Sequence, residues 1–555
     1  MAENRWSTPT GPLFQGRAWP FFLAAGGGLL QTLSWPEPGW WPLCFVALIP
    51  LLLAAEGQRN RRSFALGWVY GLALVLSSLP WLADVLVDYG RLGLLLGWFI
   101  FLLLGAFLAL YPALFSWIIS GETGRPIRRV LVGSTAWAGL DWLKNWVFTG
   151  FNWTPLAGPL VLSSEMGQAA DLFGIYGLGF FVALINMLLA AALTTRFKPG
   201  TGPRLLLTRV GFLAMALFLM GVAFIYGWGQ FIRWETAAAS APRPLVMAIQ
   251  PATDQLQKWD EAYRDSLLTF YDYLARTAGR QKPWLILWPE TALPFIFDYD
   301  YLETKWLKDL NRDLGGLSLV GVAGTNGLWQ EMKLYNRMLL FKDGEAGLWY
   351  DKNHLVPFGE YLPLEWLPFL KWPFLQGLIG AAGTYAPGVP RQLLELPLSE
   401  SGGGIRVVKL GVLICFESTF PYLGRDRALA GADLLVVPTN DGWFGRSRAP
   451  GQHLLAAAMR TVEIRRPLVR VGNTGISAVI HPSGRITQTT PLYKAGVFPL
   501  WVPILTPADE ITTVFVRWGY FLAPLLAVLT SILAIFRFRE QLNPLKRRVP
   551  GFVSN

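Results

Sequence analysis

The sequence predicts a polytopic α-helical membrane region of about eight transmembrane helices, joined to one α/β domain of mixed strands and helices. Three observations carry that expectation. The chain is 53% hydrophobic and only 15% charged, whereas globular chains carry about 25% charged residues. Its apolar residues are gathered into long runs without Asp, Glu, Lys or Arg. Between the last two of those runs, from Arg233 to about Asp509, the pattern changes to short β-branched strands alternating with amphipathic stretches.

The uncharged runs are Ala18–Trp35, Pro38–Ala55, Ala65–Ala83, Leu92–Ile119, Leu172–Thr195, Val210–Ile232 and Trp518–Phe536. A helix needs about 20 apolar residues to cross a bilayer, and roughly 17–25 are tolerated. Val130–Val147 is interrupted by Asp141 and Lys144 and reads either as an interfacial helix or as an eighth span. The basic residues bear on that choice, because short loops rich in Lys and Arg stay cytoplasmic. With the N-terminus (Arg5, Arg17) inside and the eighth segment crossing, "EGQRNRRSF", "GETGRPIRR", "TTRFKPGTGPRLLLTR" and the tail "FRFREQLNPLKRR" all fall on one side. Both termini are then cytoplasmic and the segment after Ile232 lies outside. The expected division is 1–232 for the first membrane region, 233–509 for the extracytoplasmic domain, and 510–555 for a last span with its tail.

These loops account for most of the +11 net charge, so no nucleic-acid partner is implied. More spans follow Ala18–Trp35 and no small-residue cleavage site ends it, so it does not read as a removed signal. Two cysteines, Cys44 and Cys415, make no disulfide framework. His354, His453 and His481 are too far apart for a compact zinc motif, and His481 in "HPSG" reads as a turn residue. Neither a metal nor a cofactor is expected.

Within the α/β domain, strands are expected at "LVMAIQ", "WLILWPE", "LSLVGVAG", "NRMLLF", "VVKLGVLICFE", "DLLVVPTN", "PLVRVGNTG" and "ISAVI". Helices are expected at "DEAYRDSLLTFYDYLARTAG" and "GQHLLAAAMRTVEIR". Sites in such domains gather beyond the carboxyl ends of strands, where Glu290 of "LILWPETALPF" and Cys415 of "GVLICFESTF" both fall. Lys352, with His354 and Glu360, belongs to "DKNHLVPFGEYLP". Singly, each has an ordinary reading as a cap, a solvated lysine or a packed thiol. Together they supply a nucleophile, a base and a cation for an oxyanion, the minimum for acyl transfer. A thiol is mostly protonated at neutral pH and needs such partners.

"WPE", "K-x-H-L-V-P-F-G-E" and "C-F-E", in that order, resemble the Glu-Lys-Cys motifs of the nitrilase (carbon-nitrogen hydrolase) superfamily. "PTNDGWFG" and "RTVEIRRPLVRVGNTGISAVI" are similar to that superfamily too. Together with the membrane runs, the whole chain resembles the bacterial apolipoprotein N-acyltransferases. The resemblance implies an αββα sandwich, with Glu290 as base, Lys352 as oxyanion partner, Cys415 as nucleophile and Glu360 orienting Lys352. It makes Glu417 a supporting residue in the pocket wall. Trp259 of "LQKWD", Asn336 of "LYNRMLLF" and Phe416 come out as substrate-binding candidates; Phe416 stands where the family more often has Tyr. The partners implied are the bilayer, a phospholipid acyl donor such as phosphatidylethanolamine, and a diacylated apolipoprotein acceptor. The location implied is the bacterial inner membrane.

Three further expectations concern surroundings. Pro363–Gly388, aromatic and nearly uncharged, reads as either a core helix with a loop or an apolar lid against the outer membrane face. Asn440–Gly445 reads as a turn and a mobile arm near the site, and Arg460, Glu463 and Arg466 as a structural ion-pair set. A tethered amidase or nitrile hydrolase, with water as acceptor, would use the same three residues. A transporter with a binding module is a poorer reading, resting on Asp141 and Lys144 alone.

Overall fold

Small residues let the membrane helices approach backbone to backbone. In the computed structural model, α1 (Trp19–Ser34) and α3 (Asn60–Ser78) meet at Gly28, where a Cβ would lie 2.4 Å from the Tyr70 carbonyl oxygen. On the other side of α3, a Cβ at Gly67 would lie 2.2 Å from the Pro112 carbonyl oxygen of α6 (Leu110–Ile119). Such contacts replace the hydrophobic drive that lipid does not supply. The structure describes residues 18–90, 92–122, 124–194, 202–326, 332–361, 385–400, 403–505 and 511–542.

Among the described residues, four helices are long and apolar enough to cross a membrane, or five if one bent pair counts as a span. They are Leu94–Glu122, which joins α5 (Leu94–Leu108) to α6, then α8 (Ala170–Thr194), most of α9 (Gly202–Ser240), and Leu522–Arg539 near the C-terminus. The bent pair is α3 with α4 (Trp81–Asp88), turned by 61°. Three expected spans are not among these: Ala18–Trp35, whose helix α1 has 16 residues, Pro38–Ala55 and Val130–Val147. Pro38–Ala55 is no single helix but a 3₁₀ turn, Trp41–Phe45, and a short α2 (Ile49–Ala54). Gly39 at φ 75°, Pro42 and Pro50 break the run that its lack of charge suggested. Val130–Val147 falls mostly on α7 (Pro126–Leu143), where Lys144 Nζ donates to Asp141 Oδ1 at 2.6 Å. That ion pair answers the two charges locally. No break marks the expected boundary at 233, because α9 continues to Ser240.

The α/β domain is two sheets packed face to face. The first runs β13-β1-β2-β4-β5-β6, with β3 beside β4; the second runs β12-β11-β10-β9-β8-β7. The first comprises β1 (Leu245–Gln250), β2 (Leu285–Leu287), β3 (Ile296–Phe297), β4 (Leu317–Thr325), β5 (Leu334–Lys342), β6 (Glu345–Asp351) and β13 (Gly496–Trp501). The second comprises β7 (Leu394–Ser399), β8 (Ile405–Val412), β9 (Leu434–Thr439), β10 (Leu468–Gly472), β11 (Ala478–Ile480) and β12 (Ile486–Thr489). Period-two alternation sorts each strand between two cores. Val246 and Ala248 of β1 join the inter-sheet core, while Met247 and Ile249 face α11 (Arg264–Gly279) and α12 (Tyr301–Leu314).

On the second sheet the same alternation ties the domain to the membrane region. Leu434 and Val436 of β9 point inward, and Leu435 and Val437 point to the opposite face. That outer face belongs to one continuous apolar core with the membrane helices, through α13 (Pro421–Leu429) and α14 (Ala449–Ile464). The helical layer on this side of the sandwich is therefore shared with the membrane region. Buried polar groups fasten the seam. Arg465 donates to Asp171 Oδ2 at 2.7 Å, and Glu463 accepts the Ile175 backbone N–H at 2.9 Å, both partners lying on α8. The expected ion-pair set divides: Arg460 pairs with Glu463 at 2.9 Å, whereas Arg466 donates to backbone carbonyls, including those of Ala432 and Ile511.

Candidate active site

Strand ends from both sheets converge on one buried point. β2 ends at Leu287, and the chain runs through Trp288 and Pro289 to Glu290. β8 ends at Val412; Leu413 donates to the Val436 carbonyl, and two residues on the backbone of Cys415 turns to φ 51°. A left-handed backbone at a non-glycine residue costs on the order of 1–2 kcal/mol. It is held here by two hydrogen bonds to the Cys415 carbonyl, from Ser418 Oγ at 2.9 Å and His453 Nε2 at 2.9 Å. Lys352 follows β6 and is fixed by its N–H to the Asn336 carbonyl.

The ammonium of Lys352, 1% exposed, sits between two carboxylates. Nζ lies 3.1 Å from Glu290 Oε1 and 2.9 Å from Glu360 Oε1. Asn336 Nδ2 bridges the same two oxygens at 2.7 and 2.8 Å. The Asn440 N–H supplies Glu290 Oε2 at 2.9 Å, and the Val356 N–H supplies Glu360 Oε2 at 2.8 Å. An ammonium has three protons. Two are committed to the carboxylates, and one is left over.

Burial raises the Glu290 carboxyl, but the Lys352 ammonium, the Asn336 amide and the Cys415 thiol together hold it below the ordinary carboxylate range. The Cys415 thiol is pushed up by burial and by the Glu290 charge, with Lys352 opposing. The resting pair is therefore a thiol beside a carboxylate. Proton transfer from such a thiol to such a carboxylate is uphill, so a nucleophilic role for the sulfur would require deprotonation coupled to its attack.

A second polar cluster supports the backbone turn of Cys415. His453 Nδ1 lies 3.0 Å from Asp441 Oδ1, and Arg470 donates to Asp441 Oδ2. All three side chains are fully buried. A Cys415 sulfur, an Asp441 oxygen and a His453 nitrogen lie within 4.8 Å of one another, as a cation site would require. The Arg470 guanidinium already fills the place of a cation, however, and His453 Nε2 is spent on the Cys415 carbonyl. We read the cluster as a brace.

An N-terminal model described as the apolipoprotein N-acyltransferase N-terminal domain matches residues 27–188, and a carbon-nitrogen hydrolase model matches residues 228–498. Apolipoprotein N-acyltransferase of Azotobacter vinelandii is 32% identical over 99% of this chain and 98% of its own. That of Geobacter metallireducens is 34% identical over 86% of this chain and 88% of its own. The chain belongs to the apolipoprotein N-acyltransferase family. It is thus an acyltransferase of the nitrilase superfamily with a multi-pass membrane region. An amidase from Nesterenkonia sp. is similar at 21% identity, covering 47% of this chain and 91% of that one, with a TM-score of 0.33.

The residues that the family resemblance singled out fall into three groups. Glu290, Lys352, Cys415, Glu360 and Asn336 come together as described; the Asn336 amide is consumed by the two carboxylates. Glu417, expected in the pocket wall, has no exposure. Its carboxylate accepts from the backbone N–H groups of Asn353, His354 and Ile414 at 2.6, 3.0 and 2.7 Å, and from Tyr350 Oη at 2.9 Å. It ties the loop after Lys352 to the turn of Cys415. Phe416 points to the membrane region, stacked 6.4 Å from Phe151 and 6.3 Å from Trp153. His354 continues that aromatic wall, 3.9 Å from the Phe420 ring. Burial and the nearby Lys352 charge lower its pKa to about 4, so it is neutral at pH 7.

Trp259 is half exposed at the end of a one-turn helix, its ring 5.9 Å from Lys258 Nζ. Asn440–Gly445 does form a turn at the site, a 3₁₀ turn over Asp441–Phe444. Tyr89 Oη donates to its Gly442 carbonyl at 3.0 Å from beyond the end of α4. Residues 363–384 of the expected lid lie outside the described residues. Its last residues are anchored: Tyr385 donates to the Glu360 carbonyl and Gly388 to that of Lys352. Sequence reasoning missed His453, Asp441, Arg470 and Lys258. "NDGWFG" contains Asp441, but no local pattern ties it to a histidine twelve positions on.

Proposed function

We propose that Cys415 takes a fatty acyl chain from a membrane phospholipid as a thioester and passes it to the α-amino group of a diacylglyceryl-cysteine at an apolipoprotein N-terminus. The observation that carries this reading is where the nucleophile's turn is packed. Phe416 stacks on Phe151 and Trp153 of the membrane region. Gln452, one residue before His453, accepts from the Trp81 and Trp153 indoles at 3.3 and 2.8 Å. A thiol so placed receives an acyl chain from the side of the bilayer. Drawing a 16-carbon chain into water would cost on the order of 12 kcal/mol at about 0.8 per methylene.

In the first half-reaction the Cys415 proton passes to Glu290 as sulfur bonds to the ester carbonyl carbon. The oxyanion takes the remaining Lys352 proton as a hydrogen bond. Collapse breaks the ester C–O bond, and the leaving glycerol oxygen recovers the proton from Glu290, giving lysophospholipid and thioester. In the second, the neutral α-amine attacks the thioester and yields its proton to Glu290. The C–S bond breaks and the thiolate is reprotonated. One preorganised oxyanion donor is commonly worth about 3–4 kcal/mol of barrier.

The finer topology belongs to the same proposal. Eight spans, with α1, the broken Trp41–Ala54 segment and α7 crossing beside the long helices, bring the basic loops to the cytoplasmic side and domain 233–509 outside. Residues 1–232 and 510–555 then form the membrane region of a bacterial inner-membrane enzyme. The donor is a phospholipid, with phosphatidylethanolamine as the expected species.

The acceptor separates transferase from hydrolase. When preformed acyl-enzyme is chased with a synthetic diacylated lipopeptide, an N-acyl amide is expected by mass spectrometry in molar yield close to the thioester consumed. Free fatty acid as the main product, unchanged by lipopeptide, would favour the hydrolase and contradict the proposal.

A further inference from the structure

The mechanism leaves one buried cation without a task. Lys258 ends the one-turn helix α10 (Gln255–Lys258) and is 2% exposed. This helix is tied to the catalytic shelf: Asn440 Nδ2 donates to Gln255 Oε1 at 2.6 Å, while the Asn440 N–H holds Glu290. Among the described residues, Lys258 Nζ has no hydrogen bond or ion pair; its contact is the Trp259 ring, 5.9 Å away. The acids beside it in sequence face elsewhere, Asp254 capping the Leu256 N–H and Asp260 the Ala262 N–H. Burial lowers its pKa to about 8, with the Glu290 charge opposing.

Glu290 is the carboxylate whose charge Lys258 feels, yet its oxygens are already taken by Lys352, Asn336 and the Asn440 N–H. A buried ammonium without its own anion is costly, and no group among the described residues answers it. On the reading that Cys415 is acylated by a phospholipid, the anion nearest the reacting ester is the donor's phosphodiester. It stands a few bonds from the ester carbonyl, on the same glycerol. We propose that Lys258 recognises the phosphodiester of the acyl donor, and so selects phospholipid over uncharged glycerides of the same chains. Half-exposed Trp259 flanks this position, which gives the neighbouring "LQKWD" residue a part in the same pocket.

The test compares two donors in identical detergent micelles with full-length protein: dipalmitoyl phosphatidylglycerol, and dipalmitoylglycerol, which lacks the phosphate. The readout is the rate of acyl adduct formation on Cys415 and the ratio of kcat/KM for the two donors. The wild type is expected to favour the phospholipid at least tenfold. Lys258→Met is expected to lower that ratio at least tenfold, mainly through KM for the phospholipid, and Lys258→Arg to keep it within threefold. A ratio unchanged in Lys258→Met, both donors falling together, would overturn the assignment while leaving the thioester reading intact. So would a Lys258→Arg ratio as low as that of Lys258→Met. Absence of any Cys415 adduct in the wild type would overturn both readings.

Discussion

Lys352→Met is expected to slow acylation of Cys415 by at least about 10³-fold and to move the acid limb of that rate to higher pH. The oxyanion donor alone is worth about 10²–10³ in rate. The further loss comes from the base. In the wild type, Lys352 lies 3.1 Å from Glu290 and 2.9 Å from Glu360, and Glu290 is held ionised. Without the ammonium, the two buried carboxyls share only the Asn336 amide, and like charges so close favour a proton on one of them. Glu290's carboxyl then rises above its ordinary value near 4.3. The base form is present in the wild type above its depressed pKa, and in the variant it appears only at higher pH. Residual acylation by Lys352→Met should therefore climb with pH across a range where the wild type is flat.

For stability, unlike rate, the sign itself reverses. A depressed carboxyl stabilises the wild type above its unfolded pKa, and that contribution is lost as pH falls through the folded value. In the variant, stability is gained as pH falls. Initial acylation rates and denaturant midpoints, both measured across pH, check the two effects. A variant with wild-type pH profiles would separate Lys352 from Glu290 and reject the arrangement described here.

Asp441→Asn should cost about 3–5 kcal/mol of stability, the range for a buried ion pair broken on one side. Burial raises the Asp441 carboxyl, but Arg470 first and His453 second bring it down to about 2. The substitution leaves the Arg470 guanidinium fully buried without an anion. It also frees the His453 ring, whose Nε2 holds the carbonyl of the left-handed Cys415 at 2.9 Å. Acylation should fall along with stability, because the nucleophile's turn loses one of its two side-chain anchors. The wild type should lose stability as pH falls from about 4 toward about 2, and Asp441→Asn should lose less over that range, keeping only the share of other depressed carboxyls such as Glu290. Denaturant titration in detergent measures both. A loss under about 1 kcal/mol would mean that Arg470 is otherwise compensated.

Much of the site was legible because its chemistry sits in short motifs at strand ends. Glu290 and Cys415 each follow an apolar run that can only be a buried strand, and Lys352 and Glu360 share one loop. The strands followed from the same periodicity, with exceptions such as β7, where Pro397 in "LELPLS" masks an edge strand. What escaped was contact between distant segments. His453 meets Asp441 and the Cys415 carbonyl through packing of α14 on the second sheet, and nothing local signals it. Lys258 was hidden by its neighbour, since Trp259 drew the reading of "LQKWD". The membrane region erred in the opposite direction. Lack of charge in Pro38–Ala55 suggested a helix that Gly39, Pro42 and Pro50 do not permit. Composition selects a bilayer environment there, while the backbone decides the shape.

The central claim is that the acyl chain rides on one sulfur. Full-length protein is incubated with labelled phosphatidylethanolamine in the absence of acceptor, denatured, and digested. The expected result is label that survives denaturation, is removed by neutral hydroxylamine, and maps to the peptide containing Cys415, with none on Cys415→Ala. Equal label on Cys415→Ala, or a wild type that stays unlabelled while lipopeptide is still acylated, would contradict it.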